Sequence, residues 1–148
     1  MGDGLSAIGL GWYYMSQYQQ LDVWKLSVQL VGKVYKLTKT FPIAEQFGLT
    51  SQIRRSATSI PANIAEGYGR LTSGDYLRFL SIARGSLFEL ETHLHVAIEV
   101  QLLDKADCEI YFAEIQRIGK MLTGLIRSIR QKDQSSLREL SADYDFDS

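Results

Sequence analysis

The side chains in this sequence best suited to chemistry are a pair of histidines, a lone cysteine and several groups of cations. His93 and His95 stand two residues apart, which on a helix turns their rings about 200° away from each other. A di-iron centre in a helical bundle needs Glu-x-x-His steps on two helices and carboxylates on the others. Glu91 and His95 share a ridge, but the apolar stripes of the other segments supply no partner carboxylate. The pattern predicts no metal and no cofactor, with the histidines solvated or at an interface. Cys108 has no second thiol and no neighbouring base, so it reads as a small hydrophobe near a helix start rather than a nucleophile. Gly67-x-Gly69 lacks the third glycine, the preceding strand and the Lys-Ser/Thr pair of a phosphate-cradling loop. It reads as a helix end and a turn. No Ser-His-Asp arrangement stands out, and the chain is not expected to be an enzyme.

The cations form two sets. Arg117, Lys120 and Arg127 lie opposite the apolar stripe of the last segment, followed by Arg130 and Lys132, while Lys25, Lys33, Lys36 and Lys39 lie on the outer side of the first. One reading is a solvated face whose cations complement the negative end of a helix. The other is a surface that contacts the phosphates of RNA or DNA. The aromatic interleaving of single-strand binders is missing.

The elements that position these groups are helical. Val23, Leu26, Leu30, Val34, Leu37 and Phe41 recur at three- and four-residue steps, which predicts a helix from about Asp22 (as N-cap) to Thr40, stopped by Pro42. A second stripe of Leu49, Ile53, Ala57, Ile60 and Ile64 predicts a helix from about Thr50 to Glu66, with Gly67 as its C′ residue. Pro61 lies inside it, where the missing N–H and the clash with the Ala57 carbonyl predict a kink rather than a break. The hydroxyls of Thr58 and Ser59 are candidates to satisfy the freed backbone. Tyr76, Leu80, Ala83, Leu87, Leu90, Leu94 and Ala97 define a third helix, capped by Thr72 or Ser73. Tyr111, Ile115, Ile118, Leu122, Leu125 and Ile129 define a fourth that begins near Asp104. The 4-3-4-3 spacing suits left-handed packing at about +20°. Short connections predict an all-α, up-down-up-down antiparallel four-helix bundle.

Length and composition agree. A chain of 148 residues with 45% hydrophobic and 22% charged residues fits one soluble domain. No apolar run reaches the roughly 18 residues of a membrane span. The amino terminus lacks the basic and apolar regions of a signal peptide, and a single cysteine fits the reducing cytoplasm. Residues 1–20 read as a flexible Gly-rich arm, 21–132 as the bundle and 133–148 as a disordered acidic tail. The net charge of −1 divides unevenly: residues 22–132 hold fifteen Lys/Arg against eleven Asp/Glu, whereas the tail holds Arg138 against Asp133, Glu139, Asp143, Asp145 and Asp147.

The second helix is unusually poor in charge. Beside its stripe runs a ridge of Gln52, Ser56, Ser59, Asn63 and Glu66, and a further strip holds Ser51, Thr58, Ala62 and Ala65. Small residues permit close approach, and neutral polar groups pair across a contact. Either this helix is central to the monomer, or it also packs against a second subunit.

The run GLTSQIRRSATSIPANIAEGYGR (Gly48 to Arg70), followed by DYLRFLSIARGSLFELETHL (Asp75 to Leu94), resembles the four-helix-bundle family encoded in intervening sequences of bacterial 23S rRNA genes, also called S23 ribosomal protein. LDVWKLSVQLVGKVYKLTKTFP (Leu21 to Pro42) looks like its first helix, and the resemblance covers residues 16–131. It implies a homopentamer with no known catalytic activity, similar in fold to the accessory protein of diversity-generating retroelements, a pentamer that binds a reverse transcriptase and nucleic acid. Family polar positions fall on Gln52, Arg55, Ser59, Asn63, Glu66, Gly67 and Arg70, and on the third helix the match runs through Phe79, Leu80, Ala83, Gly85, Ser86, Glu89 and Leu90. The glycine-rich arm and the acidic tail depart from the family, and Met15 looks like a natural start.

Two readings of function follow. The first is a non-enzymatic homo-oligomeric scaffold that associates with RNA through Lys25, Lys36, Lys39, Arg117, Lys120, Arg127 and Arg130. The second is an adaptor that recruits a protein partner through Gln52, Arg55, Ser59, Asn63, Glu66 and Arg70 without touching nucleic acid. On charge alone the acidic tail competes with RNA for the basic surface. Deleting residues 133–148 is expected to tighten RNA binding at low salt, read by fluorescence anisotropy; equal affinity with and without the tail rules the competition out.

Overall fold

A computed structural model describes residues 17–144. It consists of α1 (Asp22–Thr38), α2 (Leu49–Tyr68), α3 (Ser73–Glu99) and α4 (Lys105–Tyr144), with short 3-10 turns at Gln17–Gln20 and Ile43–Glu45 and no strand among the described residues. The four apolar stripes close on one another as a helical bundle. Leu30 and Val34 of α1, Ile53, Ile60 and Ile64 of α2, Leu80, Leu87, Leu90 and Leu94 of α3, and Ile115, Ile118 and Leu122 of α4 are buried together. Burying a side chain of this size is worth roughly 1.5–3 kcal/mol, so the stripes supply the driving force for the fold. Among the described residues, no helix is long and apolar enough to cross a membrane.

The helix ends differ from the sequence reading in instructive ways. Asp22 is the first helical residue of α1, not its cap. Leu21 holds the extended cap conformation, and its carbonyl accepts from the amides of Trp24 and Lys25. The Asp22 carboxylate still sits in the first turn, where it meets the positive helix end. α2 starts at Leu49, whose amide donates to Glu45 Oε2 at 3.2 Å. α3 is capped as expected, with Thr72 Oγ1 accepting from the Asp75 amide at 3.1 Å. α3 closes through Gln101, whose φ of 62° lies in the left-handed region, a turn that the sequence does not mark with glycine.

α2 runs unbroken through Pro61. The hydroxyls expected to serve its freed backbone are engaged elsewhere: Thr58 Oγ1 donates to the carbonyls of Arg54 and Arg55, and Ser59 pairs with Ser86. On α4, Ile126 is buried while Leu125 and Ile129 are only half-buried. An α-helix drifts about 20° per heptad against a 3.5 repeat, which carries the next residue inward. Cys108 is fully buried, and burial, aided by Asp107 and Asp104, pushes its thiol up from the ordinary range. It packs as a small hydrophobe.

Residues 17–20 and 133–144 differ from the expected arm and tail. Residues 1–16, most of the expected arm, lie outside the described residues. Gln17–Gln20 packs on the bundle, with Tyr68 Oη donating to Gln17 Oε1 at 3.0 Å and the Tyr18 ring meeting Trp24 edge-on at 5.3 Å. The segment expected as a disordered acidic tail is helical through Tyr144. Between Asp133 and Tyr144 there is no Gly or Pro, and Gln, Leu, Arg, Glu and Ala favour helix. Acidic composition hid a sound helical propensity.

Gly67 is not a C′ residue; it is buried inside the last turn of α2, and Gly69 takes the C-cap. A Cβ at Gly67 would stand 2.8 Å from Phe79 Cβ and 3.0 Å from Tyr76 Cδ2, so glycine is what lets α2 and α3 touch here. Tyr76, edge-on to Tyr68 at 6.0 Å, has its phenol pushed up to about 12 by burial and by Tyr68. Gly67→Ala is expected to destabilise the bundle by about 1–3 kcal/mol through overpacking, seen as a lower urea midpoint; a midpoint equal to the parent's would refute the tight contact.

Candidate functional site

The polar ridge of α2 divides into an inner and an outer half. On the inner half, Asn63 Nδ2 donates to Ser59 Oγ at 2.9 Å, Ser59 Oγ lies 2.8 Å from Ser86 Oγ, and Ser86 Oγ lies 3.1 Å from the Ile82 carbonyl. A hydroxyl has one proton. Because Ser86 gives its proton to the carbonyl, Ser59 donates to Ser86. The result is a directed chain from the Asn63 amide across the α2–α3 seam, of the kind in which successive bonds polarise one another. Ser56, also buried, turns its hydroxyl back onto the carbonyls of Gln52 and Ile53.

The outer half faces solvent. Gln52, Arg55, Glu66 and Arg70 are exposed. Arg70 Nη2 pairs with Glu66 Oε1 at 2.6 Å, and its guanidinium lies 4.6 Å over the Phe79 ring. Gln52, Arg55, Ser56 and Ser59 share a polar recess of about 170 Å³ with Glu89 of α3. Arg54 is committed inward: Nε donates to Thr38 Oγ1 at 2.8 Å and the guanidinium covers the Tyr35 ring at 4.5 Å. Of the six residues singled out by sequence, Ser59 and Asn63 therefore bind the protomer together, while Gln52, Arg55, Glu66 and Arg70 face solvent.

The cations also separate. Lys25, Lys36 and Lys39 are exposed along one ridge of α1. Arg117 meets that side of the bundle, beside Leu26 and Gln29 of α1, and Lys33 pairs with Glu114 across the same α1–α4 seam. Lys120 and Arg127 lie on the opposite flank of α4. There they join Arg84 along an α3–α4 groove of about 450 Å³, floored by Leu87, Phe88, Ile115, Gly119 and Gly124. Arg130 is exposed farther along α4. The single basic face expected on α4 is thus split in two, because α4 packs between α1 and α3.

Sequence reasoning missed Arg84 and the groove. The available signal was Gly119 and Gly124, which interrupt a strong helix period without any turn to justify them. The histidines have structural neighbours: His93 Nε2 stands 3.3 Å from Glu89 Oε1, and His95 stacks on Phe112 at 4.5 Å.

A charge-poor second helix is thus sealed to its neighbour by hydroxyls, within a helical bundle whose cations lie on two flanks. The family model described as 23S rRNA-intervening sequence protein matches residues 19–124, and the chain belongs to that family. A solved structure is similar to it, that of a protein with unknown function from the S23 ribosomal protein family of Bacteroides thetaiotaomicron. Identity is 29%, coverage is 70% of this chain and 97% of that one, and the TM-score is 0.65. No curated protein matches the chain. The family match ends at residue 124, within α4.

The hydroxyl chain makes a quantitative demand. Ser59→Ala and Ser86→Ala are each expected to cost about 1 kcal/mol, with the double variant costing about 0.5 kcal/mol or more below the sum, measured by urea unfolding. Strict additivity would show that the two hydroxyls are not coupled.

Proposed function

We propose that the protein is a non-enzymatic homo-oligomeric scaffold, pentameric as the family resemblance implies, that associates with RNA in the bacterial cytoplasm. The observation that carries the RNA reading is the row of exposed cations Lys25, Lys36 and Lys39 on α1, with Arg117 across the seam on α4. The family's description places its members in 23S rRNA intervening sequences, which makes ribosomal RNA the first candidate. A bundle body of net charge +4, repeated around an oligomer, concentrates positive potential over a surface large enough to hold several phosphates. Contacts of this kind carry affinity and little sequence selectivity.

The open half of the α2 ridge favours a second reading. Gln52, Arg55, Glu66 and Arg70 offer donors and acceptors without strong net charge, which suits a protein partner better than a polyanion.

Light scattering gives the mass, and titration with a 23S rRNA fragment at several salt concentrations gives the grip. The expected result is a mass several times that of one chain and an affinity falling linearly on a log–log plot against salt, by about 0.7–0.9 per phosphate contacted. Lys25→Glu/Lys36→Glu/Lys39→Glu is expected to lower that affinity at least tenfold at unchanged mass. No binding at low salt would overturn the RNA reading in favour of the adaptor, and a monomer at all concentrations would overturn the scaffold.

A further inference from the structure

The end of α4 has an apolar surface that no described residue of its own protomer covers. Ile126, Ile129, Asp133, Leu137 and Leu140 fall within an arc of about 80° on an ideal helix. At Ile126 that arc is buried in the bundle, but past Lys132 it emerges, with Leu137 66% and Leu140 58% exposed. The segment is also acidic: between Asp133 and Tyr144 it carries Arg138 against Asp133, Glu139 and Asp143. A helix with an apolar stripe and a negative flank, projecting from the body, is built to be seated in something apolar and positive.

The α3–α4 groove has that character. Its floor is Leu87, Phe88 and Ile115, it is widened by Gly119 and Gly124, and Arg84, Lys120 and Arg127 line it against Glu91 alone. Phe88 is 52% exposed within it. The dimensions agree as well. At 1.5 Å per residue, the groove wall from Ile115 to Arg127 and the extension from Lys132 to Tyr144 are each about 18 Å long.

The extension cannot reach the groove of its own chain. α4 is one continuous helix from Lys105 to Tyr144 and itself forms a wall of that groove. Folding back would require breaking the helix, and no Gly or Pro lies beyond Gly124 to allow it. The occupant is therefore a second copy. We infer that the acidic end of α4 from one protomer docks in the basic α3–α4 groove of the next, with Leu137 and Leu140 on its apolar floor. This contact joins two different surfaces, so it propagates head to tail and closes into a ring when the rotation between neighbours permits. It rests on the self-association proposed above and adds to it a contact made by residues beyond the family match. It also places the acidic tail against Lys120 and Arg127 and leaves the α1 lysines free.

Two variants test it in the full-length chain. Leu137 and Leu140 are exposed in the protomer, so Leu137→Ser/Leu140→Ser is expected to leave helicity unchanged while raising at least tenfold the concentration at which the oligomer dissociates, read by light scattering on dilution. Gly124 has open space where a side chain would start, which makes it a benign site for a thiol. Mixing a Leu140→Cys chain with a Gly124→Cys chain under mild oxidation is expected to give a disulfide-linked heterodimer, with neither chain cross-linking alone. An oligomer that dissociates no sooner in the double serine variant, or a mixture that gives no heterodimer, overturns this contact while leaving self-association standing. A parent chain that is monomeric at every concentration removes both.

Discussion

How closely α2 approaches α3 decides most of what this molecule presents to its surroundings. At one point of the seam Gly67 rests against Phe79 and Tyr76, with no room for a methyl group. At another, a chain of hydrogen bonds runs from Asn63 through Ser59 to Ser86 and the Ile82 carbonyl. Between them Ile60 and Ile64 meet the leucines of α3 in the core. Buried hydroxyls cost free energy unless they are paired, so the polar chain holds only if the helices keep their spacing, and the apolar contact sets that spacing. Each supports the other.

The remaining geometry follows from this seam. With α2 held against α3, and with Arg54 drawn onto Tyr35 and Thr38 of α1, α4 fills the side left open by α1 and α3. Its cations are then divided. Arg117 falls with the lysines of α1, while Lys120 and Arg127 fall with Arg84. Two positive surfaces of different character result, one an exposed polar ridge and the other a groove with an apolar floor. The same packing leaves Leu137 and Leu140 of α4 exposed among the described residues.

Much of the fold could be read from residue order. The stripes of α1, α2 and α3 face the core where periodicity put them, because a side chain every three or four residues has only one face to occupy. Boundaries were less legible. Asp22 and Gly67 look like caps by residue type, yet Asp22 starts the helix and Gly67 is buried within it. Both types serve two purposes, and local sequence does not tell a terminus from a close approach. The tail misled for a related reason, since charge bias suggests disorder while the absence of Gly and Pro permits helix. For the candidate site, the α2 ridge could be identified from its lack of charge, but not its division into a sealed and an open half.

The sequence by itself determined that the chain is all-helical, which faces are apolar and which helix is unusual, because these depend on spacing along one strand of backbone. It also determined the charge of every segment. Only the tertiary structure decided which cations stand together, which hydroxyls are spent on the seam, and that a groove lies between α3 and α4. Those properties depend on the rotation of one helix relative to another, which is set by the interlocking of side chains distant in the chain.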